Sequence, residues 1–262
     1  MPIPKDTIIR ISQNFFSTEE AHASITQVAS LYPNITAEDG YQVMQAVVAG
    51  LRKRGHKQIG IKAGATSKMA QEIMGLTEPI YGVLFDLYQA PHGEAISAEH
   101  FIHPLLECEV AFKMGQSLAG PNITRDDVLA ATEAVVASFE IVDFRTNEWK
   151  IGMGEALCYN VFARHFVLGQ KYIPVDQLDL PNIAITLSKN GEQVGKGTSA
   201  AALGDPALAV AWVANKLAQH NSQLNAGDIV LSGATLPVQS IKAGDRFDAS
   251  FEGLETISVK FV

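Results

Sequence analysis

The chain has 262 residues, 47% of them hydrophobic and 18% charged, with a formal net charge of -8. That size and composition fit a globular protein with a sizeable core and exclude a disordered or low-complexity chain. The acidic balance excludes nucleic acid and anionic membrane surfaces as expected partners, since both demand a basic footprint, and no run approaches the ~18 apolar residues of a membrane span.

The first residues, MPIPKDTIIRISQNFFSTEE, lack the basic and then apolar regions of a secretory signal, so a cytoplasmic location is expected. Two cysteines, Cys108 and Cys158, are too few for a disulfide framework and read as buried thiols. From Asp6 to about Gly55, through TEEAHASITQVASLY and TAEDGYQVMQAVVAGLRKRG, apolar residues recur at helical spacing. Thr36 with Asp39 three residues on resembles a capping pair, and Gly55 a helix stop. The texture changes at KQIGIKAGATSK, where glycines interrupt a short apolar run. Between Pro79 and Phe112, apolar segments punctuated by turn residues predict strands. The stretch TRDDVLAATEAVVASFEIV predicts one long helix over 124–142 with Thr124 as N-cap. DPALAVAWVANKLAQH predicts another, with Asp205 as N-cap and Pro206 at the first helical position. From Ala226 to the end, short apolar runs separated by Gly-Asp turns predict strands. The expected organisation is one α+β domain over 1–262, with a mainly helical front (1–70) and a β-rich core (71–262) built largely from the second half.

The chemistry concentrates in PLLECEVAF. On a strand, side chains alternate faces, so Glu107 and Glu109 point the same way and repel each other. Either that face is solvated, or a cation or a proton resolves the repulsion. Apolar flanks on both sides weigh against a wholly exposed strand, and an oxygen-only set suits a hard cation such as Mg²⁺ or Mn²⁺ rather than zinc. Glu140, inside VVASFEIV, is either an exposed helix position or a third ligand. In IGIKAGATSK, Lys62 is either a snorkelling surface lysine or an acid/base group, and the nearby glycines suggest close backbone approach. SGATLP around Ser232 lacks a nucleophile elbow, and the chain has neither a dinucleotide fingerprint nor a P-loop.

These segments, with YPNITAEDGYQV, EPIYGVLFD, GTSAAALGDPALAVAWVANKL, GDIVLSGA and ISVKFV, run in order along most of the chain. Together they resemble the hydratase and decarboxylase branch of the fumarylacetoacetate hydrolase superfamily. The resemblance implies a mixed β-roll, barrel-like core with a helical N-terminal segment, assembled as a homo-oligomer and able to associate with a pathway partner enzyme. It implies Mg²⁺ or Mn²⁺ on Glu107, Glu109 and Glu140, with Lys62 as active-site lysine and Asp86 as an acid near the substrate. Thr66, Ser67, Asn160 and Arg164 are the expected substrate contacts, Arg164 as receiver of a second carboxylate. The implied activity is lyase chemistry on a small 2-oxo-alkenoate of aromatic meta-cleavage catabolism. Decarboxylation of 4-oxalocrotonate (2-oxohex-3-enedioate) leads, beside hydration of 2-oxopent-4-enoate (2-hydroxypenta-2,4-dienoate), with a non-catalytic partner subunit as the third reading. Two departures stand out. The family's Asp-Asn pair, small residue and serine become Tyr159, Asn160, Val161 and Phe162, and its GHP turn becomes GDP with Asp205.

Overall fold

The computed structural model describes residues 3–146 and 151–262. The helical front comprises α1 (Lys5–Ala21), a short α2 (Val28–Leu31) and α3 (Ala37–Lys53). Thr36 and Asp39 close a reciprocal capping box on α3: each backbone N–H is taken by the other's side-chain oxygen. Val43, Met44, Val47 and Leu51 then bury one stripe of that helix. The helical pattern read across 18–32 is broken: α1 ends at His22, whose φ of 47° is left-handed, and an extended stretch precedes α2.

The next elements are β1 (Gln58–Gly64), α4 (Lys68–Met74), β2 (Ile80–Phe85), β3 (Ala95–Ile96), β4 (Pro104–Met114), α5 (Arg125–Ala131) and β5 (Thr132–Asp143). After them come α6 (Met153–Cys158), β6 (Ala163–Leu168), β7 (Ala184–Lys189), β8 (Glu192–Thr198) and α7 (Pro206–Gln219). The chain closes with β9 (Ile229–Leu231), β10 (Gln239–Ser240), β11 (Arg246–Phe251) and β12 (Thr256–Phe261). Among the described residues, one sheet runs β2-β1-β9-β4-β5-β6, with β10 also paired to β4, and a second runs β3-β12-β11-β7-β8. This is the expected α+β architecture. The helical front closes at Lys53 rather than near residue 70, and β1 and β2, from the first third of the chain, lie in the main sheet.

The long helix expected over 124–142 is instead two turns of helix followed by a twelve-residue strand. Thr124 does cap it, through a second capping box with Asp127. Beyond Ala131 the run of Val135, Val136, Phe139, Ile141 and Val142 is buried on both faces, between β4 and β6. β-branched and aromatic residues fit a doubly covered strand better than a helix, and two strand partners satisfy its backbone. Glu140 therefore sits in the middle of a sheet.

One edge of β4 is shared by two short strands: β9 pairs with Ala111–Lys113 and β10 with Leu105–Leu106. Between them the loop after β9 lies against the remaining stretch of β4, with Ser232 N–H donating to Val110 O and Thr235 N–H to Cys108 O. That gap places a loop, rather than a strand, beside the two glutamates. Cys108 and Cys158 are buried free thiols, as expected.

Asp205 is explained by the fold. Its carboxylate accepts from Ala207 N–H at 2.8 Å, capping α7, and its other oxygen takes Arg125 Nε at 2.6 Å, tying α7 to α5. Asp205→Ala is expected to lower stability by about 2 kcal/mol and Asp205→Asn by about half as much, because asparagine keeps the cap and loses the charge pair. Urea unfolding of the two variants checks this, and equal losses would refute the division of roles.

Candidate active site

β4 and β5 are antiparallel with Glu107 directly opposite Glu140 and Glu109 opposite Ser138. Cross-strand partners share a face, so the alternation seen in ECE and the register of β5 bring all three carboxylates together. One oxygen from each lies within 4.8 Å of the others. Glu109 and Glu140 are completely buried, and Glu107 is partly so. β1 supplies the counter-charge: Lys62, 2% exposed, lies with Nζ 2.5 Å from Glu140 Oε1 and donates to Val161 O at 3.1 Å.

The surplus of negative charge is written into the protonation behaviour. Burial, then the Glu140 and Glu107 charges, push Glu109 well above the ordinary carboxylate range. Burial also raises Glu140, to about 7, although Lys62 pulls against it. Burial alone would lower Lys62, but the facing carboxylates, Glu140 foremost, hold it above its usual value. Glu109 Oε2 accepts from Gly233 N–H at 2.5 Å, while Glu109 Oε1 and Glu140 Oε2 are buried with no hydrogen-bond partner. Buried, unpartnered carboxylate oxygens are costly, and a divalent cation relieves both the desolvation and the mutual repulsion. An all-oxygen, anionic, convergent set fits Mg²⁺ or Mn²⁺.

A scan of the chain finds the model of the fumarylacetoacetate (FAA) hydrolase C-terminal domain over residues 63–262. The chain belongs to the fumarylacetoacetate hydrolase family. It is 38% identical over 251 residues to a 2-hydroxyhexa-2,4-dienoate hydratase of Comamonas testosteroni, covering 95% of each chain. It is 32% identical to a 4-oxalocrotonate decarboxylase of Pseudomonas sp. strain CF600, covering 99% of this chain and 98% of that one. The solved structure of 4-oxalocrotonate decarboxylase from Pseudomonas putida G7, complexed with magnesium and adipate, superposes with a TM-score of 0.96 at 28% identity over 99% of both chains. Glu107, Glu109 and Glu140 of this family member are a convergent carboxylate set able to hold a divalent ion.

The other expected residues divide. Thr66 is buried against Gly233, where a β-carbon would lie 2.1 Å from its hydroxyl, and so stands behind the Glu109 contact. Ser67 caps α4 by accepting from Ala70 N–H at 3.1 Å. Asp86 is not brought to the cluster. It lies four residues beyond Gly82, the partner of Lys62, which is about 13 Å along the strand. There it is exposed and accepts from Lys57 and Leu87 N–H, fastening the ends of β1 and β2.

Asn160 is fully buried, and its side chain is engaged at both ends by Val83, accepting from N–H at 2.7 Å and donating to O at 2.9 Å. Arg164 is not free to receive a second carboxylate. It is held by Glu19 of α1, which Arg145 also grips, and it donates to His100 O at 3.4 Å. Burial, then the Arg164 charge, push Arg145 down to about 9, and the pair is held by two anions, Glu19 between the arginines and Asp143 at 3.6 Å from Arg145 Nε. Tyr159 and Phe162 pack rather than bind: Phe162 stacks on Phe144 at 4.2 Å, and the Tyr159 hydroxyl donates to Glu155 and accepts from Val28 N–H.

Two functional groups escaped the sequence reading because both are backbone: Gly233 N–H and Val161 carbonyl. The only signal was a glycine two residues after the apolar run ending at Leu231, which takes a φ of 104°.

Glu109→Gln is expected to abolish the Mg²⁺-dependent rise in unfolding free energy, which in the wild type should reach about 2.7 kcal/mol at a hundred times Kd. The metal-free variant should be at least as stable as the metal-free wild type, since a buried like charge has been removed while the oxygen facing Gly233 is kept. Thermal and urea unfolding with and without Mg²⁺ measure both effects. A Mg²⁺ response equal to the wild type would remove Glu109 from the ligand set.

Proposed function

We propose that the protein is a divalent-metal-dependent lyase of short unsaturated 2-oxo acids, decarboxylating 2-oxohex-3-enedioate. The carrying observation is the buried Lys62 ammonium pressed on Glu140 at the rim of a three-carboxylate cation site. When bound, the cation supplies Lewis-acid polarisation of the 2-oxo group and a docking point for the adjacent carboxylate. Glu107, Glu109 and Glu140 hold it. Lys62 Nζ, fixed by Glu140 and Val161 O, moves the proton. As the bond to the distal carboxylate breaks, CO₂ departs and the electron pair passes along the conjugated chain to the 2-oxo oxygen, where Lys62 Nζ donates its proton. The product is 2-hydroxypenta-2,4-dienoate.

The choice of reaction turns on what surrounds the distal end. A carboxylate leaves as CO₂ most readily from a dry site without a fixed cation. Here Arg164 and Arg145 are balanced by Glu19 and Asp143 together, and the positions of the family's acid and serine carry Tyr159 and Phe162, whose one hydroxyl is already bonded. Water addition to a 2-hydroxy-2,4-dienoate is the second reading. It is favoured by the 38% identity to the hydratase and by Ser232 Oγ, which is buried without a partner one residue before Gly233 and suits a bound water. A cytoplasmic, homo-oligomeric enzyme that associates with a pathway partner remains part of this reading. Among the described residues, no helix is long and apolar enough to cross a membrane.

An NMR and ultraviolet time course with Mg²⁺ and 2-oxohex-3-enedioate, run beside 2-hydroxypenta-2,4-dienoate and a chelator control, is expected to give chelator-sensitive CO₂ loss from the diacid. Water addition to the dienoate alone would instead establish the second reading, and silence on both acids would sink the two together. Lys62→Ala should lower kcat at least about 100-fold. Its Mg²⁺ affinity should be undiminished, because the change removes a competing cation from beside Glu140, and a parallel loss of affinity in calorimetry would contradict the proton-transfer role.

A further inference from the structure

Asn160, Val161 and Phe162 are three successive residues with φ of 50°, 53° and 58°. Single asparagines enter this left-handed region readily, but three non-glycine residues in a row, one of them β-branched, do so only when their surroundings force them. The surroundings here are strands β1 and β2. Asn160 clasps the Val83 peptide on both sides, and two glycines clear the space beneath the turn. A β-carbon on Gly82 would lie 2.7 Å from Asn160 O, and one on Gly64 would lie 3.0 Å from Val161 Cγ1. Gly82 is the register partner of Lys62, so the turn is seated directly over the lysine. The result of this construction is one contact with the active site: Val161 carbonyl accepts from Lys62 Nζ.

We propose that the left-handed turn Asn160–Phe162 is a positioning clamp for Lys62, anchored by Asn160 and acting through the Val161 carbonyl. The inference rests on Lys62 being the proton-transfer group. An ammonium has three N–H donors, and rotation about the last carbon-nitrogen bond is nearly free when one acceptor holds it. Two fixed acceptors, the Glu140 carboxylate and the Val161 carbonyl, set that rotation and leave the third N–H for the reacting atom. The turn's strain is the means by which a main-chain oxygen is delivered to a buried side chain. Asn160 is thus a positioning residue that does not meet substrate.

The test uses Asn160→Ala, which removes both bonds to Val83, and Gly64→Ala, which crowds Val161 while leaving every hydrogen-bonding group in place. Each is expected to lower kcat at least about tenfold while KM and the calorimetric Mg²⁺ affinity stay within about threefold. In a Lys62→Ala background the same Asn160→Ala change should cost less than about twofold in kcat, because the clamp has nothing left to hold. A loss that persists undiminished there would mean a general structural role and overturn the proposal. If the wild type turns over neither acid, the functional reading fails by itself, and the clamp is judged by chemical labelling. Acetylation of Lys62 in the folded protein, followed by mass spectrometry, should then rise at least about tenfold in both variants, and wild-type labelling would overturn it. Should Asn160→Ala fail to fold, Gly64→Ala carries the same readouts.

Discussion

The structure is organised around one electrostatic conflict: three carboxylates and a single ammonium share a space from which water is largely excluded. Inside a protein an unpaired charge is far more costly than in water, so the cluster calls for a proton or a cation to offset the surplus negative charge. A sheet is the platform best able to impose such a conflict. The pleat fixes the spacing of Glu107 and Glu109, the register with β5 fixes Glu140 opposite, and β1 fixes Lys62, none of which side-chain flexibility can undo. Strand register, acting against their repulsion, holds the carboxylate oxygens convergent.

Around this centre the polar groups fall into layers with different duties. Gly233 N–H holds one Glu109 oxygen in place, and Thr66 fills the space behind that glycine. Asn160 and the turn it anchors act on Lys62 from the other side. Farther out, Glu19 bridges Arg145 and Arg164 and thereby couples the helical front to β6. With Asp143 at 3.6 Å from Arg145, that bridge matches two guanidiniums with two carboxylates. The aromatic residues at Tyr159 and Phe162 replace groups able to hold water by rings that pack.

Local sequence marked its own features well wherever the physics was local. The capping pairs at Thr36 and Thr124, the Asp205-Pro206 start of α7 and the shared face of Glu107 and Glu109 all depend on residues within four positions of one another. The ordered motifs extended that to the family, and the three glutamates and the lysine they single out are gathered in one cluster. The failures have a common origin. The run after Ala131 was read as helix because its spacing permits both periods, and only strands β4 and β6 on either side decide for the sheet. Asp86, expected near the substrate from the family resemblance, and Arg164, expected to receive a carboxylate, are claimed by the Lys57 backbone and Glu19, 29 and 145 residues away.

The sequence by itself therefore determined the α+β class, the family and the carboxylate pair on one face of β4, since periodicity, caps and ordered motifs are properties of neighbouring residues. Tertiary structure alone decided which polar side chains remain available for chemistry. A carboxylate, amide or guanidinium is functional only if no distant partner has already taken it, and backbone groups such as Gly233 N–H and Val161 carbonyl, identical in every residue, acquire a role only from where the fold puts them.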